Sequence, residues 1–313
     1  MPSSTTYIHT KPESFQSKVM KLGMAALGMK NNIERSMVTN RIDNKAASVP
    51  RSLRSVADIT IAEQDGRKIW TFKPKHNASE TVILYLHGGA YIHNVSQYHW
   101  RFIKALLLKT NAAVIVPDYP LAPEAQYDKV YDFLERVYQE LVTKTLAHNI
   151  VLMGDSAGAG LALGYAQQLR NDNKPQLAQV ILLCPWLDIT VSNPDIAEVE
   201  PRDKMLGKKG LILAGQSYIG ALNPADYRVS PMYGDCSGLG QISLFIGTDD
   251  LAIADARKFK GMLENLGIAL NYFEYPNMFH DWVVVTSLQE AKHAIEQIAA
   301  LIDATARLRA DDF

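Results

Sequence analysis

Gly154-Asp155-Ser156-Ala157-Gly158 sets a serine between glycines where the sequence pattern turns from strand to helix. The apolar run NIVLMG precedes it and AGLALGYAQQL follows it. A serine on so sharp a turn is held in a strained backbone conformation, with its hydroxyl projecting from the sheet edge near the positive end of the next helix. That hydroxyl is a poor nucleophile near neutral pH and needs a base. His280 lies in Pro276-Asn277-Met278-Phe279-His280-Asp281-Trp282, directly after the last apolar run. His9, His76 and His148 precede the serine in polar surroundings, and His293 falls in a helical stretch that reads as surface. The imidazole in turn needs a carboxylate to orient it. Gly247-Thr248-Asp249-Asp250-Leu251 offers two, which spacing does not separate; Asp255 falls inside the next helix, and Asp188 is an outside alternative. Serine, acid and histidine in this order perform acyl transfer.

Acyl transfer also needs donors for the oxygen that becomes negative in the tetrahedral intermediate. His87-Gly88-Gly89-Ala90-Tyr91 follows the run TVILYL, so the Gly88 and Gly89 backbone supplies N–H groups there, with another from Ala157 after the serine. His87 reads as a residue that holds this loop rather than as the base. His87, His93 and His99 recur every six residues, which stacks them on no helix face and matches no zinc spacing. With no phosphate-binding glycine loop and no dinucleotide fingerprint, neither a metal nor a cofactor is expected.

These residues need a scaffold. The segments 56–62 and 67–73 alternate like strands around a turn at Glu63-Gln64-Asp65-Gly66, a hairpin pattern. Six nearly continuous apolar runs follow, starting at residues 81, 112, 149, 178, 242 and 269. Such runs suit strands buried on both faces of a parallel sheet. Helical stretches at 96–110, 128–146, 158–171, 252–266 and 288–308 separate or follow them. The alternation predicts an α/β sheet of eight strands, with an antiparallel pair leading. No core strand is predicted between residues 186 and 241, a connection long enough to be a lid or binding insertion. Phe15, Val19, Leu22, Ala26, Met29 and Ile33 mark one apolar stripe on a helix over 14–39. Its surroundings are basic, with nine Lys or Arg against three acidic residues in the first 55. A membrane-surface helix carries that pattern. A helix covering an active site needs the same stripe, and that is the reading adopted.

The 313-residue chain is 47% hydrophobic and 21% charged, as expected of a protein with a real core. A net charge of −1 gives no field to attract nucleic acid, and aromatic residues are not interleaved with basic clusters. Two cysteines, Cys184 and Cys236, make no disulfide framework and read as reduced thiols. The polar amino terminus is not a secretory signal, and no segment has the length to span a bilayer, so a cytoplasmic location without stable membrane insertion is expected.

Six segments in order resemble the hormone-sensitive-lipase-like branch of the α/β-hydrolases, which includes many bacterial carboxylesterases: HGGAY, DYPLAPE, GDSAG, PWLD, GTDDL and MFHDW, within residues 80–285. The resemblance implies an α/β-hydrolase fold, an eight-stranded and mostly parallel sheet with helices on both faces and a helical cap. Residues 1–50 would form part of that cap, 51–313 the catalytic domain, and about 188–240 the inserted lid. It places the nucleophile on Ser156 and the base on His280, favours Asp250 over Asp249, and puts the oxyanion donors on Gly88 or Gly89 and Ala157, with Ala90 open. Two departures affect support loops: Pro120 stands where an arginine is common, and Ala90 where a third glycine is common. The implied reaction is hydrolysis of short-chain acyl esters, small molecules that need no cofactor. A ligand receptor that kept this fold, an amide hydrolase, and a homodimer remain open at this stage.

Overall fold

The computed structural model describes residues 4–42 and 44–310. Its strands are β1 (Thr5–Ile8), β2 (Ala57–Gln64), β3 (Arg67–Pro74), β4 (Val82–Leu86), β5 (Ala113–Pro117), β6 (Ile150–Asp155), β7 (Gln179–Leu183), β8 (Gln241–Gly247) and β9 (Leu270–Tyr275). The helices are α1 (Phe15–Ala26), α2 (Asn32–Thr39), α3 (Arg51–Arg54), α4 (Gln97–Thr110), α5 (Tyr127–Val142), α6 (Ala157–Asn171), α7 (Ile196–Val199), α8 (Lys208–Ile219), α9 (Ile253–Asn265) and α10 (Gln289–Ala310).

One sheet runs β1-β9-β8-β7-β6-β4-β5-β3-β2. Its central strands pair in parallel, and only β3 with β5 and β2 with β3 are antiparallel. Residues 150–155 and 179–183 are buried throughout, which explains runs apolar at every position instead of alternate ones. At the leading hairpin, Asp65 and Gly66 have φ of 53° and 73°. Positive φ at both central residues suits the two-residue turn whose twist matches the strands.

Among the described residues the sheet has nine strands, one more than the eight expected. The addition is β1, which pairs in parallel with β9 from Thr5 opposite Asn271 to Ile8 opposite Glu274. TTYI has no alternation of its own and is mostly exposed, so main-chain pairing at an edge makes this strand. The helix expected over 14–39 is also interrupted. Gly28, at φ 62°, ends the first segment, and α2 starts after a short 3-10 turn.

The interruption turns α1 away from its expected packing. Ser17 and Met24 face inward, while Phe15, Val19 and Leu22 lie exposed. The first part of the stripe marked in the sequence, Phe15, Val19 and Leu22, is therefore the outer face of α1, a correction to the expected arrangement, whereas its last members, Met29 and Ile33, do line the cavity side. α2 lies on α8 across Gly210, where a Cβ would come within 2.8 Å of the Glu34 backbone nitrogen. The long connection from 186 to 241 carries α7 and α8 and no strand.

Among the described residues no helix is long and apolar enough to cross a membrane.

Candidate active site

The reactive positions gather at the carboxyl edge of the sheet, where loops leave parallel strands and can bring distant residues together. Ser156 connects β6 to α6 with φ 50° and ψ −119°. Its own N–H donates to Leu183 O at 2.8 Å, and its carbonyl accepts from Trp186 N at 3.0 Å. The loop after β7 therefore pins a backbone conformation that costs of order 1–3 kcal/mol. The two glycines follow from packing: a Cβ on Gly154 would lie 2.4 Å from Gly158 O, and one on Gly158 only 2.1 Å from Leu86 O.

His280, in the loop after β9, has Nε2 2.8 Å from Ser156 Oγ and Nδ1 2.9 Å from Asp250 Oδ2. Asp250 also accepts from Ala252 N at 2.9 Å, which fixes the carboxylate plane. Asp249 turns the other way, to Lys21 Nζ at 2.9 Å and Arg202 Nε at 3.6 Å. Adjacent residues in this turn thus face opposite sides, one toward the imidazole and one toward α1. Asp188 receives Thr190 N and Tyr233 OH, both at 2.8 Å, and Asp255 receives Asn193 Nδ2 at 2.9 Å. Those carboxylates secure the inserted segment.

Burial alone pulls His280 down, but the charges of Asp250 and Asp281 and the Asp250 hydrogen bond reverse this and leave its pKa raised. The two carboxylates thus stabilise the protonated form of this imidazole relative to the neutral one.

The glycine loop after β4 borders the same space. Gly89 and Ala90 line a cavity with Ser156, while Gly88 lies behind them, where a Cβ would meet Asp155 Oδ2 at 2.2 Å. Gly89, at φ 123°, makes a tight turn in which its carbonyl accepts from His93 N at 2.8 Å. Ala90 has φ 54°, so the common third glycine is replaced by a residue that bears a cost of about 1 kcal/mol in this region. Ala157 is the first residue of α6, at the positive end of its dipole. His87 bonds Gly88 O through Nδ1 at 2.7 Å and stacks on Tyr119 at 4.4 Å. Burial and then the neighbouring His99 bring its pKa down to about 4, so it stays neutral and holds the loop. Beside Pro120, Arg67 of β3 reaches Asp118 Oδ1 at 3.1 Å and Tyr119 O at 3.3 Å, giving that loop a guanidinium from another strand.

Three residues carry roles the sequence reading did not assign. Asp203, in the inserted segment, accepts from Met205 N at 2.7 Å, Leu206 N at 2.8 Å and Leu251 N at 2.8 Å. One carboxylate thus staples the insertion to the turn that carries Asp250. Lys21 joins Glu13 at 2.8 Å to Asp249, and ties α1 to that turn from the other side. Asp281 was visible inside the MFHDW segment, but its contact with His280 Nε2 at 3.3 Å was not. Burial, with Asp155 and Asp250 close by, pushes the Asp281 carboxyl well above the usual range, although His280 opposes this. Nothing in the pattern PRDKML marks Asp203, because its partners are backbone N–H groups 2, 3 and 48 residues away.

Asp203→Asn is expected to lower kcat/KM about tenfold, since an amide keeps one acceptor oxygen and abandons a buried N–H on one side of the staple, a loss of about 1–3 kcal/mol. Steady-state kinetics on a soluble ester check this, and an unchanged kcat/KM would remove Asp203 from the positioning of the site.

The cavity measures about 490 Å³ and is walled by Met20 and Met24 of α1, Leu27 just after it, Ile33 of α2, Leu206 of the insertion, and Phe279, Val284 and Val285. A much smaller space of about 10 Å³ lies on the other side of Ser156 and His280, against Trp186, Leu211 and Leu251. Among the described residues, Cys184, Asp250 and His280 alone group three metal-ligating types within 4.8 Å. An ion there would have to displace the His280–Asp250 bond and ionise a thiol that burial pushes well upward. The set does not fit a metal.

The alpha/beta hydrolase fold family is matched over residues 83–284. An esterase of Acinetobacter venetianus is 30% identical over 229 residues, 72% of this chain and 76% of its own. An acetyl-hydrolase of Streptomyces hygroscopicus is 29% identical, over 77% of each chain. The solved structure of a hormone-sensitive lipase from a metagenome library superposes with a TM-score of 0.75 at 24% identity, covering 91% of this chain and 92% of the other. That last likeness is one of fold.

Proposed function

Because the chain belongs to the hormone-sensitive-lipase-like branch of the α/β-hydrolase family, we infer that it is a serine carboxylesterase and propose Ser156, His280 and Asp250 as its catalytic triad. The observation that carries the assignment is the unbroken line from Asp250 through His280 to Ser156, with links of 2.9 and 2.8 Å. A receptor that no longer turned over its ligand would have no need for a strained serine in line with a buried base and acid.

In the first half-reaction His280 Nε2 takes the proton of Ser156 as Oγ bonds to the ester carbonyl carbon. The carbonyl oxygen becomes an alkoxide, stabilised by the N–H groups of Ala157 and of the Gly88–Gly89 loop. The tetrahedral intermediate collapses as His280 returns the proton to the departing alkoxide, releasing the alcohol and leaving an acyl group on Ser156. Water then gives its proton to His280 and its oxygen to the acyl carbon; collapse restores the serine and frees the carboxylic acid. Asp250 keeps Nδ1 protonated and stabilises the imidazolium throughout. The residues of α1, α2 and the inserted segment serve as the cap, closing an apolar chamber over the reacting carbonyl. Two buried, reduced cysteines suit a reducing, cytoplasmic setting.

A chamber of about 490 Å³ on one side of the serine and about 10 Å³ on the other suits esters in which the acyl chain is short. Hydrolysis of p-nitrophenyl acetate, butyrate, octanoate and palmitate is expected to peak on the two shortest and to fall steeply toward palmitate. A peak at palmitate would overturn the short-chain reading, and no turnover of any of the four by folded protein would overturn the esterase assignment.

A further inference from the structure

Helix α1 is apolar on two sides. Its inner side supplies Met20 and Met24 to the catalytic cavity. Its outer side leaves Phe15 80% and Leu22 72% exposed, with Val19 half exposed between them, and Leu27, which caps the helix, is 74% exposed. Residues 15, 19, 22 and 26 recur at the four-and-three spacing of a single helix face, so these side chains form one continuous strip. Scattered exposed leucines need no explanation, but a strip on the roof of an apolar cavity does. Leu27 belongs to both surfaces: it lines the cavity and is open to solvent.

The charge around the strip is positive on balance. Lys18 is exposed within it, and beside Leu22 a groove of about 510 Å³ is bordered by Lys18, Arg202 and Lys204. The two acids of that groove, Glu13 and Asp249, are both held by Lys21 at 2.8 and 2.9 Å. The strip thus presents unbalanced positive charge beside bulky apolar groups. A second copy of this chain would bring the same positive charge against it; an anionic lipid–water interface would complement both features.

We propose that the outer face of α1, through Phe15, Val19 and Leu22 with Lys18 and Lys204, docks the protein on an anionic lipid–water interface. Docked in this way, the mouth of the catalytic cavity at Leu27 opens at the interface. Esters that partition there, a short acyl group on an apolar alcohol, then reach Ser156 without crossing bulk water. The helix lies in the interface plane and does not span it, in keeping with its 12 residues.

The test is co-sedimentation of the full chain with vesicles of phosphatidylcholine alone and of phosphatidylcholine with phosphatidylglycerol. Solution hydrolysis of p-nitrophenyl butyrate is measured on the same samples. Wild type is expected to sediment with the anionic vesicles and only weakly with the neutral ones. The double variant Phe15→Ser, Leu22→Ser is expected to lose binding by about tenfold or more, because the apolar area it offers the acyl boundary is gone. Lys18→Glu is expected to weaken binding to the anionic vesicles alone. Butyrate hydrolysis by the variants stays at the wild-type rate, since these side chains are exposed and lie outside the catalytic cavity. Wild type left in the supernatant with anionic vesicles, or a double variant that binds like wild type, would overturn the proposal. A concentration-dependent dimer that the double variant dissolves, without vesicle binding, would assign the face to a second copy and overturn it too. Vesicle binding without butyrate hydrolysis would instead count against the esterase reading and leave the docking surface standing.

Discussion

Ser156→Ala is expected to reduce kcat for p-nitrophenyl butyrate by about five to six orders of magnitude, with little change in KM. In the proposed triad His280 Nε2 exchanges the proton with Ser156 Oγ while Asp250 orients the ring, so removing the atom that bonds to the substrate idles the other two. In enzymes of this type, losing the nucleophile costs about as much as losing the whole triad, roughly a factor of a million in kcat. What remains is the stabilisation from the proposed oxyanion donors, the Ala157 and Gly88–Gly89 N–H groups, and from binding, worth about a thousandfold over water. KM is expected to hold because the cavity walls, among them Met24, Leu206 and Phe279, are untouched. The substitution also shortens a side chain in a strained turn without touching the bonds from Leu183 and Trp186 that hold it, so the variant should fold. Burst-free kinetics with an unchanged melting profile are the expected readout. Residual activity within about tenfold of wild type would move the nucleophile elsewhere.

Asp250→Asn is expected to lower kcat by about four orders of magnitude, while Asp249→Asn changes it by less than about tenfold. An amide at position 250 keeps the shape, but it can turn an N–H toward His280 Nδ1 and force the wrong tautomer on the ring. Nε2 then carries the proton and cannot accept the one on Ser156. Asp249 contributes only its bonds to Lys21 and Arg202, which hold α1 and the insertion against the turn. The pH profile separates the two roles. His280 is raised by the Asp250 charge, and a protonated imidazole cannot act as base, so wild-type kcat/KM falls as pH drops through that raised pKa. Without the Asp250 charge the pKa of His280 falls, and the residual activity of Asp250→Asn should keep its acid limb to lower pH than wild type. Asp249→Asn should leave the limb in place. Equal losses in both variants, or an acid limb that does not move in Asp250→Asn, would remove Asp250 from its assigned role.

The elements that position this chemistry were legible because their signals are local. A strand buried on both faces has to be apolar at every position, and a turn between two such elements has to carry small residues. The stretches around β4, β6, β8 and β9 are therefore readable without their partners. The edge strand β1 was not, since TTYI becomes a strand only by pairing with residues 271–274. The direction of α1 was misread for a related reason. Its outward apolar strip and its inward methionines are both periodic, and periodicity alone does not tell which side meets the cavity.

The order Ser156, Asp249 or Asp250, then His280, the glycines that let chains pass within contact distance, and the parallel α/β layout are properties of the sequence alone. Each rests on residues within a few positions of one another, where covalent geometry and steric exclusion leave few choices. Only the tertiary structure turned Asp250 to His280 and Asp249 to Lys21, brought Asp203 from the insertion to the turn at 249–251, set Gly88 behind Gly89 and Ala90, and exposed Phe15 and Leu22. Those outcomes depend on the direction in which a side chain leaves its loop and on partners up to hundreds of residues away. Such directions follow from the packing of the whole molecule.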